Sequence, residues 1–292
     1  MIITRDASVY TVLQYNLSNN SNALNALYVK ASTGVEVAKA SDNPSLVQSI
    51  IGGRSDIMKG EQYIENCQTL QDSLSMAETS IDSIEELMTR AKEIAVAGAN
   101  DTLSQADRNT LANEVEQLQE ALLDLANAEV DGKYIFAGYN DQTLPFSGEP
   151  VVYNGTSDHK MIEISPGTTV AKNITGDELF MDPIDLFATL EGLASALQAG
   201  DSSLISSQLT PLEDAAEQVR TQQSFLGNTS ARMDDLIAMH GSAVLLVRET
   251  LSRNQDADLT AVLSEISKME LSVEATMQVT ARVSALNLMD YL

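Results

Sequence analysis

The chain has 292 residues, of which 17 are basic and 42 are acidic, so its formal net charge is −25. This charge argues against a nucleic-acid partner, because proteins that bind nucleic acids neutralise phosphates with Lys and Arg. Aromatic residues make up only 4% of the chain and Trp is absent, a composition too poor in large side chains for a big globular core and suited to thin helical bundles.

The first residues, from Met1 to Asp6, lack the basic start, apolar run and small-residue cleavage site of a secretory signal. The sequence also has no stretch of 18 apolar residues that would cross a bilayer. We therefore expect no membrane partner, and a protein that stays in the cytoplasm or is exported without cleavage.

The first predicted helix spans roughly residues 8 to 32. Its inward positions recur in alternating steps of three and four residues, the spacing that keeps one stripe of a coiled-coil helix against a partner. These positions are Tyr10, Leu13, Leu17, Asn20, Leu24, Leu27 and Ala31. Thr33-Gly34 breaks the helix, and the turn Ser41-Asp42-Asn43-Pro44 leads into the next one.

The second helix carries ten consecutive heptad positions that are all apolar. They are Tyr63, Cys67, Leu70, Leu74, Ala77, Ile81, Ile84, Met88, Ala91 and Ala95. Cys67 is therefore predicted to be a small core residue rather than a nucleophile. As the only cysteine, it also rules out an intramolecular disulfide and a Cys-based zinc site. After a stop at Gly98, Ser104 and Asp107 form a predicted capping box that starts a third helix.

The pattern changes between Lys133 and about Asp182, where short β-favouring runs alternate with turns. The runs are Tyr134-Ile135-Phe136, Val151-Val152-Tyr153 and Met161-Ile162-Glu163-Ile164, and the turns include Asn154-Gly155 and Pro166-Gly167. This segment predicts a small β insertion that is too short for a core of its own and leans on the helices beside it. Helix is expected to resume near Asp182-Pro183.

A long register from Ile205 to Leu251 predicts another bundle helix, and the polar stretch from Asn254 to Asp258 separates it from a terminal helix. In that helix Leu259, Leu263, Ile266, Val273, Met277 and Thr280 hold the coiled-coil register, with Glu270 interrupting it. The first and last helices are therefore expected to meet in one coil, whose orientation and register the sequence leaves open.

These elements predict a mostly α fold: a long antiparallel helical bundle or coiled coil with paired N- and C-terminal helices and a small β-rich insertion. We divide it into a terminal coiled-coil domain (residues 1–43 plus 255–292), a helical bundle domain (44–132 plus 182–254) and a β-rich insertion domain (133–181). Burial of the apolar seam barely offsets the entropy lost in ordering the terminal coil. We therefore expect both of its segments to be disordered in a dilute monomer and to order when copies pack together.

No group of residues in the sequence indicates catalysis, a metal or a cofactor. His159 and His240 are far apart and lack a Cys partner, so a zinc site is not expected, and His240 is predicted to be a partly buried polar residue of the helical seam. Adjacent acids such as Glu85-Glu86 point in different directions on a helix and are typical of solvated faces. We expect no enzymatic activity, and keep as an alternative a secreted hydrolase that works through clustered acids.

Several motifs resemble those of the flagellin superfamily. The leucine-rich segment Leu286-Asn287-Leu288-Met289-Asp290-Tyr291-Leu292 is similar to the flagellin-type ending. The segments Ser32-Thr33-Gly34 and Ser41-Asp42-Asn43-Pro44 resemble the turn after the first helix in this superfamily, although flagellins usually lack the Pro. The block Gly132-Lys133-Tyr134-Ile135-Phe136-Ala137-Gly138, followed by Pro145-Phe146 and Tyr153-Asn154-Gly155, resembles the hook-associated branch of the superfamily. The resemblance covers the whole chain.

The resemblance implies a flagellin-like fold and a structural subunit of the bacterial flagellum, an adaptor at the hook–filament junction. It implies a location outside the cell, after export through the flagellar type III apparatus without cleavage. The implied partners are further copies of the chain in a ring, hook-associated protein 1 below, flagellin above, and an export chaperone.

In such a subunit the coil ends would form the self-assembly interface. Its expected residues are Leu13, Leu17, Leu24, Leu27, Ile266, Val273, Met277 and Leu286. Two further alternatives stay open: flagellin itself, which would polymerise alone, and a coiled-coil scaffold unrelated to flagella.

Overall fold

The computed structural model describes residues 3–289 and the side chains of residues 9–283. In this range the chain forms eight helices: α1 (Ile3–Thr33), α2 (Pro44–Gly98), α3 (Gln105–Ala126), α4 (Gly176–Phe180), α5 (Leu186–Ala199), α6 (Ser202–Ser207), α7 (Leu209–Gln255) and α8 (Leu259–Met289). Six short strands lie between α3 and α4: β1 (Glu129–Val130), β2 (Lys133–Tyr134), β3 (Phe146–Ser147), β4 (Val152–Tyr153), β5 (Met161–Ser165) and β6 (Thr168–Ala171). The predicted fold class is confirmed. Asp290 to Leu292, the end of the leucine-rich motif, lie outside the described residues.

The described residues form two compact units. Unit 1 contains α1 and the part of α2 up to Lys59, together with α8 and the part of α7 from Ala243 onward. Unit 2 contains Gly60–Ser242, which includes the whole β insertion. In unit 1 the residues that follow α1 pair with those that precede α8 through a β-bridge between Val35 and Asp256.

Side-chain caps set the points at which two helices of unit 2 begin. Ser104 and Asp107 form the predicted capping box at the start of α3, because each side chain accepts the backbone N–H of the other at 3.3 Å. The predicted helix start at Asp182-Pro183 is wrong. Helix α5 begins only after Asp185, whose carboxylate accepts the Ala188 N–H at 2.9 Å and so caps the helix there.

The core of unit 2 forms along the seam predicted for α2. Nine of its ten predicted positions are buried: Cys67, Leu70, Leu74, Ala77, Ile81, Ile84, Met88, Ala91 and Ala95. A cluster of phenylalanines extends this core into the insertion. The ring of Phe146 lies 5.1 Å from that of Phe180 and 5.6 Å from that of Phe187 on α5. The insertion therefore shares its core with the helices, as the sequence predicts.

The β insertion consists of three separate antiparallel hairpins, β1–β2, β3–β4 and β5–β6. The predicted strand Tyr134-Ile135-Phe136 is wrong beyond Tyr134, because Phe136 turns into the core and is fully buried. The Tyr153 hydroxyl supports this turn, since it lies 2.9 Å from the Phe136 carbonyl oxygen and 3.0 Å from that of Thr156. Burial raises the pKa of Tyr153 to about 12.

His240 fastens the β5–β6 hairpin to α7. It is a buried polar residue, as the sequence predicts. Its Nε2 lies 2.9 Å from the Ile164 carbonyl oxygen and 3.0 Å from the Ser165 hydroxyl. Its ring also packs on Tyr63 of α2, with 5.4 Å between the ring centroids.

Arg108 joins the ends of two helices, a role that the sequence does not indicate. This residue is buried, and its guanidinium donates to the carbonyl oxygens of Gly98 at 3.2 Å, of Asn100 at 3.1 Å and of Gly200. These carbonyls stand at the C-terminal ends of α2 and α5, where the helix dipole favours a cation.

Candidate assembly surface

Unit 1 is built around an antiparallel pair formed by α1 and α8. The Asn20 amide donates to the Ser272 hydroxyl at 3.2 Å. Beyond the end of α1, Val35 pairs with Asp256, which precedes α8. Moving from residue 20 to residue 35 on the N-terminal side, the partner moves back from residue 272 to residue 256. The two segments therefore run antiparallel, an orientation that the sequence leaves open.

Every position of the predicted α1 seam is half-buried, whereas most other residues of α1 are exposed. The half-buried positions include Tyr10, Leu13, Leu17, Asn20, Leu24, Leu27 and Ala31. The four leucines expected in the self-assembly interface therefore lie on the stripe that α8 covers within the same chain. Asn20 is a polar residue in an apolar seam, and its partner on α8 fixes the register of the pair.

The predicted register of α8 is only half correct: Ile266, Val273 and Thr280 lie on its least exposed stripe, whereas Leu259, Leu263 and Met277 are exposed beside it. The half-buried or buried positions are Val262, Ile266, Met269, Val273, Thr276, Thr280 and Val283. Ile266 and Val273 belong to this stripe, whereas Met277 is 53% exposed. Leu286 is part of α8, but its side chain lies outside the described residues.

Glu270, which interrupts the predicted register of α8, has a polar role at the edge of the pair. It is exposed, and its carboxylate accepts the hydroxyl of Tyr28 on α1 at 2.6 Å. This hydrogen bond raises the pKa of Tyr28.

Both helices of the pair still present large apolar side chains to solvent. They are Val9, Val12, Tyr15, Tyr28 and Val29 on α1, and Leu259, Leu263, Leu271, Met277 and Val279 on α8. Tyr15 and Leu271 are each 67% exposed. Extended apolar surface of this kind marks sites of contact with other protein chains. The α1–α8 pair is therefore the candidate assembly surface.

Charge is divided very unequally between the two units. Unit 1 has nine basic and 11 acidic residues, a net charge of −2, and unit 2 has eight basic and 31 acidic residues, a net charge of −23. Charges of one sign repel each other over a screening length of about 8 Å at physiological ionic strength. Two copies of unit 1 can therefore approach each other with little electrostatic repulsion, whereas two copies of unit 2 repel each other strongly.

Cys67 and His159, the other residues considered for catalysis or metal binding, make contacts within the fold. Cys67 is buried in the α2 seam, and burial raises the pKa of its thiol. The two ring nitrogens of His159 lie 3.1 Å from the Asn173 carbonyl oxygen and 3.1 Å from the Glu178 carboxylate. Among the described residues, no group of three or more His, Cys, Asp or Glu side chains is arranged to hold a metal ion. In that same part of the chain, every helix is too short or too polar to span a membrane.

Comparison with known proteins first gives a class. Residues 7–141, from α1 into the β insertion, match the N-terminal helical region of bacterial flagellins. The crystal structure of flagellar hook-associated protein-3 from Legionella pneumophila superposes with a TM-score of 0.64 at 17% identity, and the match covers 70% of this chain and 98% of that one. The flagellin-like fold implied by the sequence motifs is confirmed.

Relatives found by sequence are more particular. Flagellar hook-associated protein 3 of Escherichia coli (strain K12) is 24% identical over 282 residues, which cover 88% of this chain and 89% of the relative. The protein of the same name from Salmonella typhimurium is 23% identical over 270 residues, which cover 84% and 85% of the two chains. The predicted resemblance to the hook-associated branch is confirmed, and the particular protein that the chain resembles is flagellar hook-associated protein 3.

Proposed function

We propose that this chain is a structural subunit of the bacterial flagellum that joins the hook to the filament. The α1–α8 pair carries the proposal, because it exposes apolar side chains on both helices within a unit whose net charge is only −2. Removing apolar surface from water stabilises an interface by about 25 cal/mol per Å². A single copy leaves that surface wet, and a neighbouring copy covers it. The hook-associated relatives support the same assignment.

In this proposal the chain forms a ring with copies of itself, between hook-associated protein 1 on one side and flagellin on the other. Residues 1–43 and 255–292 form the assembling domain, 44–132 with 182–254 form the outer bundle, and 133–181 project from it. The eight coil residues named above from Leu13 to Leu286 either close the α1–α8 pair or contact neighbouring copies. The chain reaches the outside of the cell unfolded and uncleaved, with the help of an export chaperone.

Deletion of the gene tests the proposal directly. We expect cells that carry hooks without filaments and that shed flagellin into the medium, and we expect the wild-type gene to restore filaments. Electron microscopy of the cells and assay of flagellin in the medium measure both outcomes. Normal filaments in the deletion strain would rule out a role at the junction.

Charges placed on the exposed apolar stripes test the surface itself. The double variant Tyr15→Glu, Leu271→Glu should keep the fold of unit 2 and fail to restore filaments, because two carboxylates would have to be buried between copies. The matched control is Met161→Glu, which changes a side chain that is 56% exposed on the β insertion. This control should restore filaments. If both variants restored filaments equally well, the assembly surface would have to lie outside α1 and α8.

Flagellin is the nearest alternative. It predicts long filaments from the purified chain alone, whereas a junction subunit stops at short assemblies. Electron microscopy of the purified chain at high concentration separates the two.

The hydrolase alternative needs a carboxyl group whose pKa is raised, so that it can act as an acid. A cavity of about 550 Å³ in unit 2 has Asp141 in its wall. The Lys160 ammonium lies 2.6 Å from this carboxylate and lowers its pKa. Asp141 is therefore held as an ion-pair partner.

A further inference from the structure

Helix α1 carries a second heptad stripe on the side away from α8. Tyr15 is two residues from both Leu13 and Leu17 of the covered seam, and two residues correspond to about 200° around a helix. The positions on this side recur in alternating steps of three and four residues, and all are exposed: Val12, Tyr15, Asn19, Asn22, Ala26 and Val29. Such spacing is typical of a face that packs on another helix. Because α8 already covers the first seam, the second stripe is free to receive a helix from another chain.

The surface around this stripe has no charge. From Ala7 to Val29, 23 consecutive residues of α1 include no Asp, Glu, Lys or Arg, although these residues make up 20% of the chain. Charged residues are depleted in the cores of protein–protein interfaces. Asn22, in the middle of the stripe, supplies an amide that donates and accepts hydrogen bonds without carrying charge. A helix with acidic residues can therefore approach α1 without meeting a like charge.

Helix α8 has an exposed stripe with matching spacing. Leu263, Glu270 and Met277 recur every seven residues, as Tyr15, Asn22 and Val29 do on α1. Their apolar members remain exposed after α8 has paired with α1 of its own chain, Leu263 by 57% and Met277 by 53%. Both stripes therefore have the same length and the same order: an apolar residue, an exposed polar residue and a second apolar residue.

The polar residues at the two centres are complementary. The Glu270 carboxylate accepts the Tyr28 hydroxyl at 2.6 Å, and a carboxylate has acceptor sites for further donors. The Asn22 amide is such a donor. Two α8 stripes facing each other would instead bring two Glu270 carboxylates together, which repel each other. Two α1 stripes facing each other would leave the α8 stripe in water. Contact between α1 of one copy and α8 of another is therefore the favoured combination.

We propose that the Tyr15–Asn22–Val29 stripe of α1 receives the Leu263–Glu270–Met277 stripe of α8 from a second copy of this chain. Each copy has one stripe of each kind, so the contact repeats from copy to copy and can close into a ring, whereas a self-matching contact would stop at a dimer. This inference rests on the self-assembly proposed above, and it adds which two surfaces meet and which polar residues align them.

Disulfide trapping between full-length copies tests the contact. Copies with Asn22→Cys are mixed with copies carrying Glu270→Cys and oxidised under conditions in which wild-type copies assemble, while the native Cys67 is fully buried. Both substitutions stand at the centre of a stripe, so the result does not depend on whether the two helices run parallel or antiparallel. We expect mixed dimers.

The matched control for trapping is Asn16→Cys. Asn16 is also exposed, but it lines a groove against Ala275 and Thr276 of α8 in its own chain. It should give no mixed dimers with Glu270→Cys copies. Mixed dimers with Asn16→Cys instead, with neither variant, or only between Asn22→Cys copies would overturn the inference.

Exchange of the two central groups gives a second readout. In the deletion strain Asn22→Asp should cut the fraction of cells with filaments at least about tenfold, because it sets a carboxylate opposite that of Glu270. The double variant Asn22→Asp, Glu270→Gln should restore filaments, since the carboxylate and the amide have then changed places. Asn16→Asp, the same chemical change beside α8 of its own chain, should restore filaments fully. Circular dichroism should give all three variants the Tm of the wild type, because the changed positions are exposed.

Equal restoration by Asn22→Asp and Asn16→Asp, or no recovery in the double variant, would overturn the contact and leave the junction function intact. Failure of the wild-type gene to restore filaments would overturn the function itself. The two failures are therefore distinguishable.

Discussion

At the scale of single residues, a few buried polar groups hold the ends of helices and turns in place. Arg108 is one of them, because its three carbonyl partners come from the ends of α2 and α5 and the loop after α2. Tyr153 is another, since its hydroxyl lies between the Phe136 carbonyl oxygen in the turn after β2 and the Thr156 carbonyl oxygen in the loop after β4. A buried carbonyl oxygen that loses its hydrogen-bond donor lowers the free energy of unfolding, so the role of each residue can be tested by substitution.

Replacing Arg108 by Met keeps the apolar stem and removes the guanidinium. The carbonyl oxygens of Gly98, Asn100 and Gly200 then lose charge-assisted donors, and we expect the free energy of unfolding to fall by about 2–4 kcal/mol. Urea titration followed by circular dichroism measures the change. Arg232→Met, at an exposed position of α7, should change stability by less than about 0.5 kcal/mol. A loss as small as that of the control would mean that water satisfies the carbonyls.

The raised pKa of Tyr153 predicts a loss of stability in alkali. The folded chain holds this proton up to pH of about 12, whereas a Tyr in the unfolded chain has its ordinary pKa of 10.0. The stability that Tyr153 contributes is therefore complete below pH 10.0 and is lost as the pH rises toward about 12. Between pH of about 9 and about 11.5, Tyr153→Phe should lose less unfolding free energy than the wild type. Tyr139→Phe, at an exposed position, should follow the wild type; if both variants do, the titration of Tyr153 is not linked to folding.

At the scale of elements, the sequence predicts one side of the terminal pair better than the other. The α1 seam from Tyr10 to Ala31 agrees with the burial pattern position by position. In α8 two adjacent stripes are both apolar, one with Leu263 and Met277 and one with Val262 and Met269. Periodicity cannot choose between them, because the choice depends on how the side chains of α1 pack.

The same limit applies to other features that the sequence misses. Asp182 and Asp185 are both suitable caps three residues apart, and only the hydrogen bond to Ala188 selects the second. Arg108 is separated from Gly200 by 92 residues, so no local pattern shows that they meet. The expected assembly interface shares this difficulty, since the contacts between copies are not encoded in the spacing of one chain.

Hydrogen exchange tests the expectation that the terminal coil orders on assembly. In dilute monomer the amides of α1 and α8 should exchange fast, because an isolated helical pair of this size is marginal in water. The amides of α2 between Cys67 and Ala95 should exchange slowly and serve as the internal control. Mass spectrometry after pulse labelling should show protection of α1 and α8 only in assembled material. Protection in the monomer equal to that of the control would refute the expectation.

At the scale of the whole molecule, the uneven division of charge bears on the proposed assembly of copies. Unit 2 carries −23 and repels its counterpart in a neighbouring copy, whereas unit 1 carries −2. Burial of the apolar surface of unit 1 thus favours association, and the repulsion between copies of unit 2 opposes it. The strength of assembly should follow the balance of these two terms.

Added salt should therefore strengthen assembly. Raising NaCl from about 0.1 M to about 1 M shortens the screening length from about 10 Å to about 3 Å, which weakens the repulsion between copies of unit 2. Sedimentation velocity should show larger species at high salt. A variant with Glu120→Gln and Asp124→Asn, both exposed on α3, should depend less on salt. Assembly that weakens with salt would show that ion pairs dominate the interface.

The pairing of α1 with α8 requires both ends of the chain to be present. The two helices lie at residues 3–33 and 259–289, so a chain interrupted anywhere between them lacks one half of the pair. Such a fragment lacks the candidate assembly surface of α1 and α8, even where its unit 2 is intact. In the proposed assembly, truncated copies from faulty translation or from proteolysis would thereby be excluded without any separate proofreading machinery.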